Sequence, residues 1–329
     1  MTPRVSVVMA VHNGGAYLRE AIESILAQTW RDFEYIIIDD ASTDDSREVI
    51  NTYRKADARI RLISNPSNLG LTRSLNVGLK NSLGEYVARQ DADDVSLPNR
   101  LRRQVEWLDT NSSIGLLGTG YHVIDTQGEV IATERLPCSD VVLRWTSLFH
   151  NPLCHTSVMA RRVLLNSVGG YDEQWRYGQD YELWTRMLDV SRVGNLNAVL
   201  VSYRSHPHAV SAQQARMQQN AADIIAARQI GRLLQREIDI ATAQHLRALV
   251  HGRLLPDHLP ARDAALELLK EIFVAFCSRH DPQPDERAAM PGFALLQNAF
   301  SVVEVSRSPL SFLRRQLDRL KRPALRSWH

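Results

Sequence analysis

The chain has 329 residues, 44% hydrophobic and 23% charged, which excludes a disordered chain, a collagen-like fibre and a disulfide scaffold. Its length suggests about two domains. The formal charge of +2 is unevenly spread: residues 305–329 hold seven Lys or Arg against one Asp, and the remainder is net acidic at −4.

The first hundred residues alternate between two patterns. Val5–Val11 is a β-branched run broken at Asn13-Gly14-Gly15, and Leu18, Ile22, Ile25 and Leu26 follow at helical spacing. Tyr35–Ile38 is a second strand ending in Asp39-Asp40, and Ser42 or Thr43 is placed to cap the next helix. Ile60–Ile63, a helix over Leu71–Leu83 and a strand at Tyr86–Ala88 continue the alternation, and Pro98 opens a further helix after Asp91-Ala92-Asp93-Asp94. Alternating strands and helices imply βαβ units and a mainly parallel sheet. Such sheets bind ligands outside the carboxyl ends of their strands, where both acidic clusters fall.

The second hundred is looser. Strands are expected at Ile114–Leu117, Tyr121–Ile124, Val130–Ala132, Ser157–Met159 and Val199–Tyr203, with helices after Ser139 and over Tyr181–Leu188. From about residue 211 the pattern is helical (Met217–Leu234, Ile238–Leu255, and the stripe Ala265–Phe276), then a Pro-rich linker at Asp281–Pro284 and a last helix from Ser308-Pro309. The expected division is 1–209 and 210–329. Cys138, Cys154 and Cys277 are too scattered for a disulfide or Cys-rich metal framework and read as reduced thiols. No apolar stretch is long enough to span a membrane, and the N-terminus lacks signal-peptide features. The expected compartment is the cytoplasm, with peripheral attachment inside the plasma membrane as the alternative.

Three carboxylates in Asp91–Asp94 either cap a helix start or hold a divalent cation, since Mn²⁺ and Mg²⁺ take oxygen ligands. Asp39-Asp40 is either a turn with capping acids or a carboxylate that receives a base or sugar hydroxyl. Asp180 is either an N-cap or a general base. A nicotinamide-binding fold lacks its G-x-G-x-x-G after the first strand, and no Gly-rich triphosphate loop suggests a nucleotidyltransferase.

In order and spacing, VSVVMAVHNGGAYLREAIESILAQT, IIIDDASTDDS, NLGLTRSLNVGL, GEYVARQDADD with PNRL, HTSVM and QDYELW resemble the inverting family 2 glycosyltransferases over roughly residues 4–205. The resemblance implies a GT-A fold, a mixed α/β sheet flanked by helices. It also implies a nucleotide-sugar donor, an Mn²⁺ or Mg²⁺ cofactor, and a glycan or lipid-linked acceptor; no nucleic-acid partner is expected. It places Ala10, His12, Asn13 and Asp40 at the nucleotide base, Arg73 and Asp91 near the nucleotide, Asp93 on the metal and Asp180 as catalytic base. His155 would stand on the metal side, and Glu182 would be a weaker alternative base. Gln179-Asp180 departs from the usual Glu-Asp, and the Gln-x-x-Arg-Trp of processive members is missing, so non-processive transfer is implied. Trp145, Trp175, Tyr177 and Trp184 are candidates to shape an acceptor site or to fill the core. The competing reading is an inactive nucleotide-binding or scaffolding protein of this fold. Leu310, Leu313, Leu317 and Leu320 with the intervening basic residues form an amphipathic pattern over 308–326, suited to an anionic membrane surface or to packing on the protein.

Overall fold

The computed structural model describes residues 2–252 and 259–299. Strands β1 (Val5–Val11), β2 (Phe33–Asp39), β3 (Ile60–Ser64) and β4 (Tyr86–Arg89) lie parallel in the order β3-β2-β1-β4. They are joined through α1 (Leu18–Leu26), α2 (Ser46–Ala56) and α3 (Leu71–Asn81). With both faces covered, β1 and β2 need apolar residues at successive positions and not only at alternate ones. Val5, Val7 and Met9 point to the core with Leu18, Ile22 and Ile25, while Val8, Ile36 and Ile38 join Leu75 and Leu79 on the other face.

The chain then passes β5 (Val95–Ser96), α4 (Arg100–Thr110), β6 (Ile114–Ile124), β7 (Val130–Glu134), α5 (Asp140–Thr146), β8 (Met159–Arg161), α6 (Arg162–Ser167), α7 (Gln179–Val190) and β9 (Arg192–Arg204). The sheet continues from β4 through β8, β6 and β9 to β5, with β7 paired to β6. β8 is antiparallel to both β4 and β6, so β6 and its parallel partner β9 regain the direction of β1–β4; six of nine strands share one direction.

Several elements differ from expectation. The helix after β2 begins at Ser46, well past Ser42 and Thr43. Ala41 has φ +56, and Asn13 Oδ1 accepts the Thr43 N–H at 2.8 Å, so the backbone there is held out of helical geometry. Ser157 ends a short 3-10 turn (His155–Ser157), and the strand begins at Met159. Two-residue β5 carries too little pattern to detect. The Pro-rich stretch at 281–284 leads straight into a helix with Pro284 in its first turn.

Below the acidic turn after β4, the fully buried Arg100 reaches Gln104 Oε1 (3.2 Å), Gln90 Oε1 (3.3 Å), Ser96 Oγ (2.8 Å) and the carbonyls of Arg89 (2.7 Å) and Val158 (3.1 Å). Burial pulls its pKa down to about 10, which still leaves it charged at neutral pH. This cation ties the ends of β4, β5 and β8 together.

Cα packing groups the residues up to Leu143 with Asn151–Ala221, and Arg144–His150 with the described residues from Ala222 onward. The first unit also contains α8 (Val210–Gln213). α9 (Ala215–Leu234) leads into the second, with α10 (Ile240–Val250), α11 (Leu259–His280), α12 (Pro284–Ala288) and α13 (Phe293–Ala299). In that unit Trp145 stacks edge-on against Phe149, Phe273 and Phe276 and donates to the Pro291 carbonyl at 2.9 Å. Arg247 pairs with Asp223 and donates to the Phe149 carbonyl. No helix among the described residues is long and apolar enough to cross a membrane. The amphipathic segment 308–326 lies outside the described residues.

Candidate functional site

The exits of β1 and β2 are level, Val11 pairing with Asp39. Both turns use left-handed backbone at a non-glycine residue, Asn13 (φ 55) and Ala41 (φ 56), a costly conformation that persists where surrounding bonds fix it. Here Asn13 N donates to Ser42 Oγ (3.0 Å), Gly14 N to Ser46 Oγ (2.8 Å) and Gly15 N to Asp44 Oδ2 (3.2 Å). His12 Nδ1 lies 2.9 Å from the Asp40 carbonyl. A carbonyl only accepts, so Nδ1 carries the hydrogen. Ala10, one residue before the end of β1, is partly buried.

Asp40 is nearly fully buried. Oδ1 accepts from Asn65 Nδ2 (2.7 Å) and Leu69 N (2.8 Å), and Oδ2 from Gly70 N (2.8 Å). Burial works to raise its pKa, but the hydrogen bonds from Asn65, Leu69, Ser74 and Gly70 outweigh it and hold the carboxyl below its ordinary value. The acid expected at the nucleotide base therefore also clasps the 65–70 loop. Gly70 sits at φ 86 just before α3, where the L-residue penalty is avoided. The sign for stability follows: the contribution is complete above the ordinary aspartate value of about 4 and is lost as pH falls through the depressed native value. D40N should flatten that acid-side loss, read as Tm against pH for both proteins; parallel curves would count against the clasp.

After β4 the three acids take different partners. Asp91 Oδ1 pairs with Arg89, a buried guanidinium that also donates to the Val8 carbonyl at 3.1 Å. Asp93 Oδ2 lies 3.0 Å from His206 Nε2, just beyond β9. Asp94 is buried and accepts the Arg204 N–H at 2.8 Å; it caps no helix, and α4 has Asn99 at its N-cap. Burial, then the charge of Asp91, raises Asp93; burial, then Asp91 and Asp93, raises Asp94 well above its usual range. Arg204 also reaches the Asp93 carbonyl (3.0 Å) and Glu20 Oε2 (2.5 Å), and covers the Tyr17 ring. Among the described residues no cluster of three His, Cys, Asp or Glu side chains is preassembled to hold a metal. Asp93 offers a carboxylate oxygen, the donor type that suits Mn²⁺ or Mg²⁺, with the His206 nitrogen 3.0 Å away.

Asp180 stands in the first turn of α7, partly exposed, and Asn151 Nδ2 donates to its Oδ2 at 2.7 Å. The helix is entered through Gly178 in left-handed geometry (φ 69), and Asp180 lies one residue inside the helix. His155 Nε2 lies 2.8 Å from Tyr171 Oη. Burial pushes His155 below its ordinary range and Arg89 adds to that, while Asp180 and Asp91 oppose it. His155 thus sits within electrostatic reach of both acids. Glu182, the alternative base, is paired with Arg186 at 2.6 Å, and the same guanidinium donates to the Gly170 carbonyl. Arg73 pairs with Glu173 at 3.2 Å, both more than half exposed. That pair lies beside two firmer staples from α3 to the loop before α7: Thr72 Oγ1 to the Trp175 carbonyl (2.8 Å), and Asn76 to the Tyr171 carbonyl (2.8 Å) and N–H (2.9 Å). Of the aromatic candidates, Trp145 and Trp184 are buried in cores, whereas Trp175 and Tyr177 are partly exposed on that loop.

A glycosyl transferase family 2 model matches residues 6–166. A putative glycosyltransferase of Bacillus subtilis, EpsE, is 36% identical over 208 residues, covering 61% of this chain and 73% of that protein. The Escherichia coli O-antigen biosynthesis glycosyltransferase WbnJ is 33% identical, covering 61% of this chain and 80% of that protein. The chain belongs to glycosyl transferase family 2. Its fold is the GT-A fold: Staphylococcus aureus TarS 1-349, solved with UDP-GlcNAc, superposes with a TM-score of 0.59 at 17% identity, covering 87% of this chain and 84% of that one. The mannosyltransferase PcManGT of Pyrobaculum calidifontis, solved with GDP-Man and Mn²⁺, gives 0.54 at 18% identity, covering 98% and 88%. In this family 2 glycosyltransferase the matched segment contains Asp40, Asp91, Asp93 and Asn151, while Asp180 and His206 lie beyond it. Sequence reasoning missed Arg89, Asn151, Arg204 and His206. The only linear signal for the last was its place just after the strand at Val199–Tyr203.

Proposed function

We propose that the chain is an inverting, non-processive glycosyltransferase that moves a hexosyl unit from a UDP-sugar to a hydroxyl of a cell-surface glycan or lipid-linked acceptor. The observation that carries this is one unit holding two separate acid stations, Asp93 with His206 and Asp180 with Asn151. The first suits a diphosphate leaving group and the second an entering hydroxyl. UDP-GlcNAc in TarS and the part of WbnJ in O-antigen biosynthesis support the donor and acceptor classes.

In this reading Asp180 accepts the proton of the acceptor hydroxyl as its oxygen bonds to the anomeric carbon. The bond from that carbon to the phosphate oxygen breaks on the opposite face, so the anomeric centre inverts. Asp93 and His206 would hold the cation, which supplies charge compensation for the departing diphosphate. His12 and Asn13 would face the base, with Asp40 fixing the loop beside them, and Asp91 would face the ribose with its orientation set by Arg89. Arg73, on α3, would reach the nucleotide by leaving its exposed pair with Glu173. Glu182, held by Arg186, is no base in this scheme. Residues 1–209 would be the catalytic domain and 210–329 a helical region, whose basic segment 308–326 suits an anionic membrane surface near a lipid-linked acceptor.

A ligand that binds only the folded state raises its stability in proportion to RT ln(1 + [L]/Kd). In a melting screen of UDP-, GDP- and dTDP-sugars with Mn²⁺, a UDP-sugar should raise Tm most and should release UDP. A larger shift with GDP-mannose would reassign the donor, and no shift with any nucleotide would favour the scaffold reading.

A further inference from the structure

Asn151 is placed between two fixed partners. Its Nδ2 donates to Asp180 Oδ2 at 2.7 Å, and its Oδ1 accepts the Leu153 N–H at 3.2 Å. A side-chain amide has one accepting end and one donating end, so the bond from Leu153 fixes which way round it lies. The NH₂ end must face the carboxylate. Pro152 restricts the backbone of Asn151 to extended geometry, and α5 has already ended at Thr146, so Asn151 is presented from a preset non-helical segment.

We propose that Asn151 is the positioning residue for Asp180: it occupies Oδ2 and leaves Oδ1 for the proton of the incoming hydroxyl. This rests on Asp180 being the base. Among the described residues, His155 and Tyr171, held to one another at 2.8 Å, also feel the Asp180 charge, and on its own helix Glu182 is held by Arg186. Asn151 donates to the Asp180 carboxylate through a neutral amide, and it remains a donor at every working pH. Asn151 acts on the acceptor side, so its loss spares donor binding.

The test compares wild type, N151A, N151D and D180N for nucleoside diphosphate release from the sugar nucleotide that wild type turns over fastest. UDP binding and crystal structures of each accompany the kinetics. N151A should lower kcat by about 10–100-fold, the usual range for losing a partner that orients a site residue, with UDP binding and donor KM unchanged and with Asp180 spread over several rotamers. N151D keeps the side-chain shape and the acceptor for Leu153, so folding is not in question. It sets a carboxylate against Asp180, which should move the acid limb of the kcat profile to higher pH. Wild-type kcat and pH profile in both variants, or an unchanged Asp180 rotamer in N151A, overturns the proposal. An active D180N overturns instead the assignment of the base. An inactive D180N beside a wild-type-like N151A removes only the role of Asn151.

Discussion

D180N should lower sugar transfer by about 10²–10⁴-fold, the usual contribution of a general base, while UDP and donor bind as in wild type. Amide and carboxylate have nearly the same shape, so Asn at 180 keeps the first turn of α7 intact but cannot accept a proton from the acceptor hydroxyl. The loss should fall on kcat because the interaction develops only as the hydroxyl is deprotonated. Glu182 offers no rescue, since its carboxylate is engaged by Arg186, itself bonded to the Gly170 carbonyl. Steady-state kinetics with UDP titration check both halves. A D180N enzyme with wild-type kcat would move the search for a base elsewhere in the unit.

The second large effect is expected at Asp93. Charge compensation of a departing diphosphate is worth several kcal/mol, so D93N should cost at least about 100-fold in kcat/KM. It should also remove the Mn²⁺ dependence of UDP binding, a readout that needs no turnover. H206A should weaken Mn²⁺-dependent UDP binding in the same sense and by less, because His206 supplies one nitrogen while Asp93 supplies the charge. Titration calorimetry of UDP with and without Mn²⁺ decides this: equal metal enhancement in wild type and D93N would break the assignment of the 3.0 Å pair. Chelation of wild type should reproduce the D93N behaviour.

The parallel half of the fold was legible because its signals are local. A β-branched run, a turn and a helical stripe recur four times, and the acids of both clusters fall just past strand ends, as their positions in the sequence imply. The partners of those acids were not legible. His206 is 113 residues from Asp93, and Asn151 is 29 from Asp180; periodicity carries no information about which side chains meet across such separations. Asp94 was ambiguous for another reason. An acid shortly before a helix resembles a cap in sequence, yet this one turns inward to the Arg204 N–H. The aromatics were open between a sugar platform and the core, and Trp145 and Trp184 take the core. The strand expected at Ser157–Met159 begins two residues later, at Met159, because pairing with β4 and β6, and not propensity, decides where β8 starts.

Helix α3 bears on how such enzymes can be recombined. Its leading loop is clasped by Asp40, and its first two turns staple the segment that leads to Asp180 through Thr72 and Asn76. In the proposed scheme, the donor-side and acceptor-side groups are therefore pinned to one short rod. A chimera that swaps residues 171–178 to import a new acceptor preference must bring matching residues at positions 72 and 76. The loop and the helix form one cassette, and the natural crossover points lie outside both.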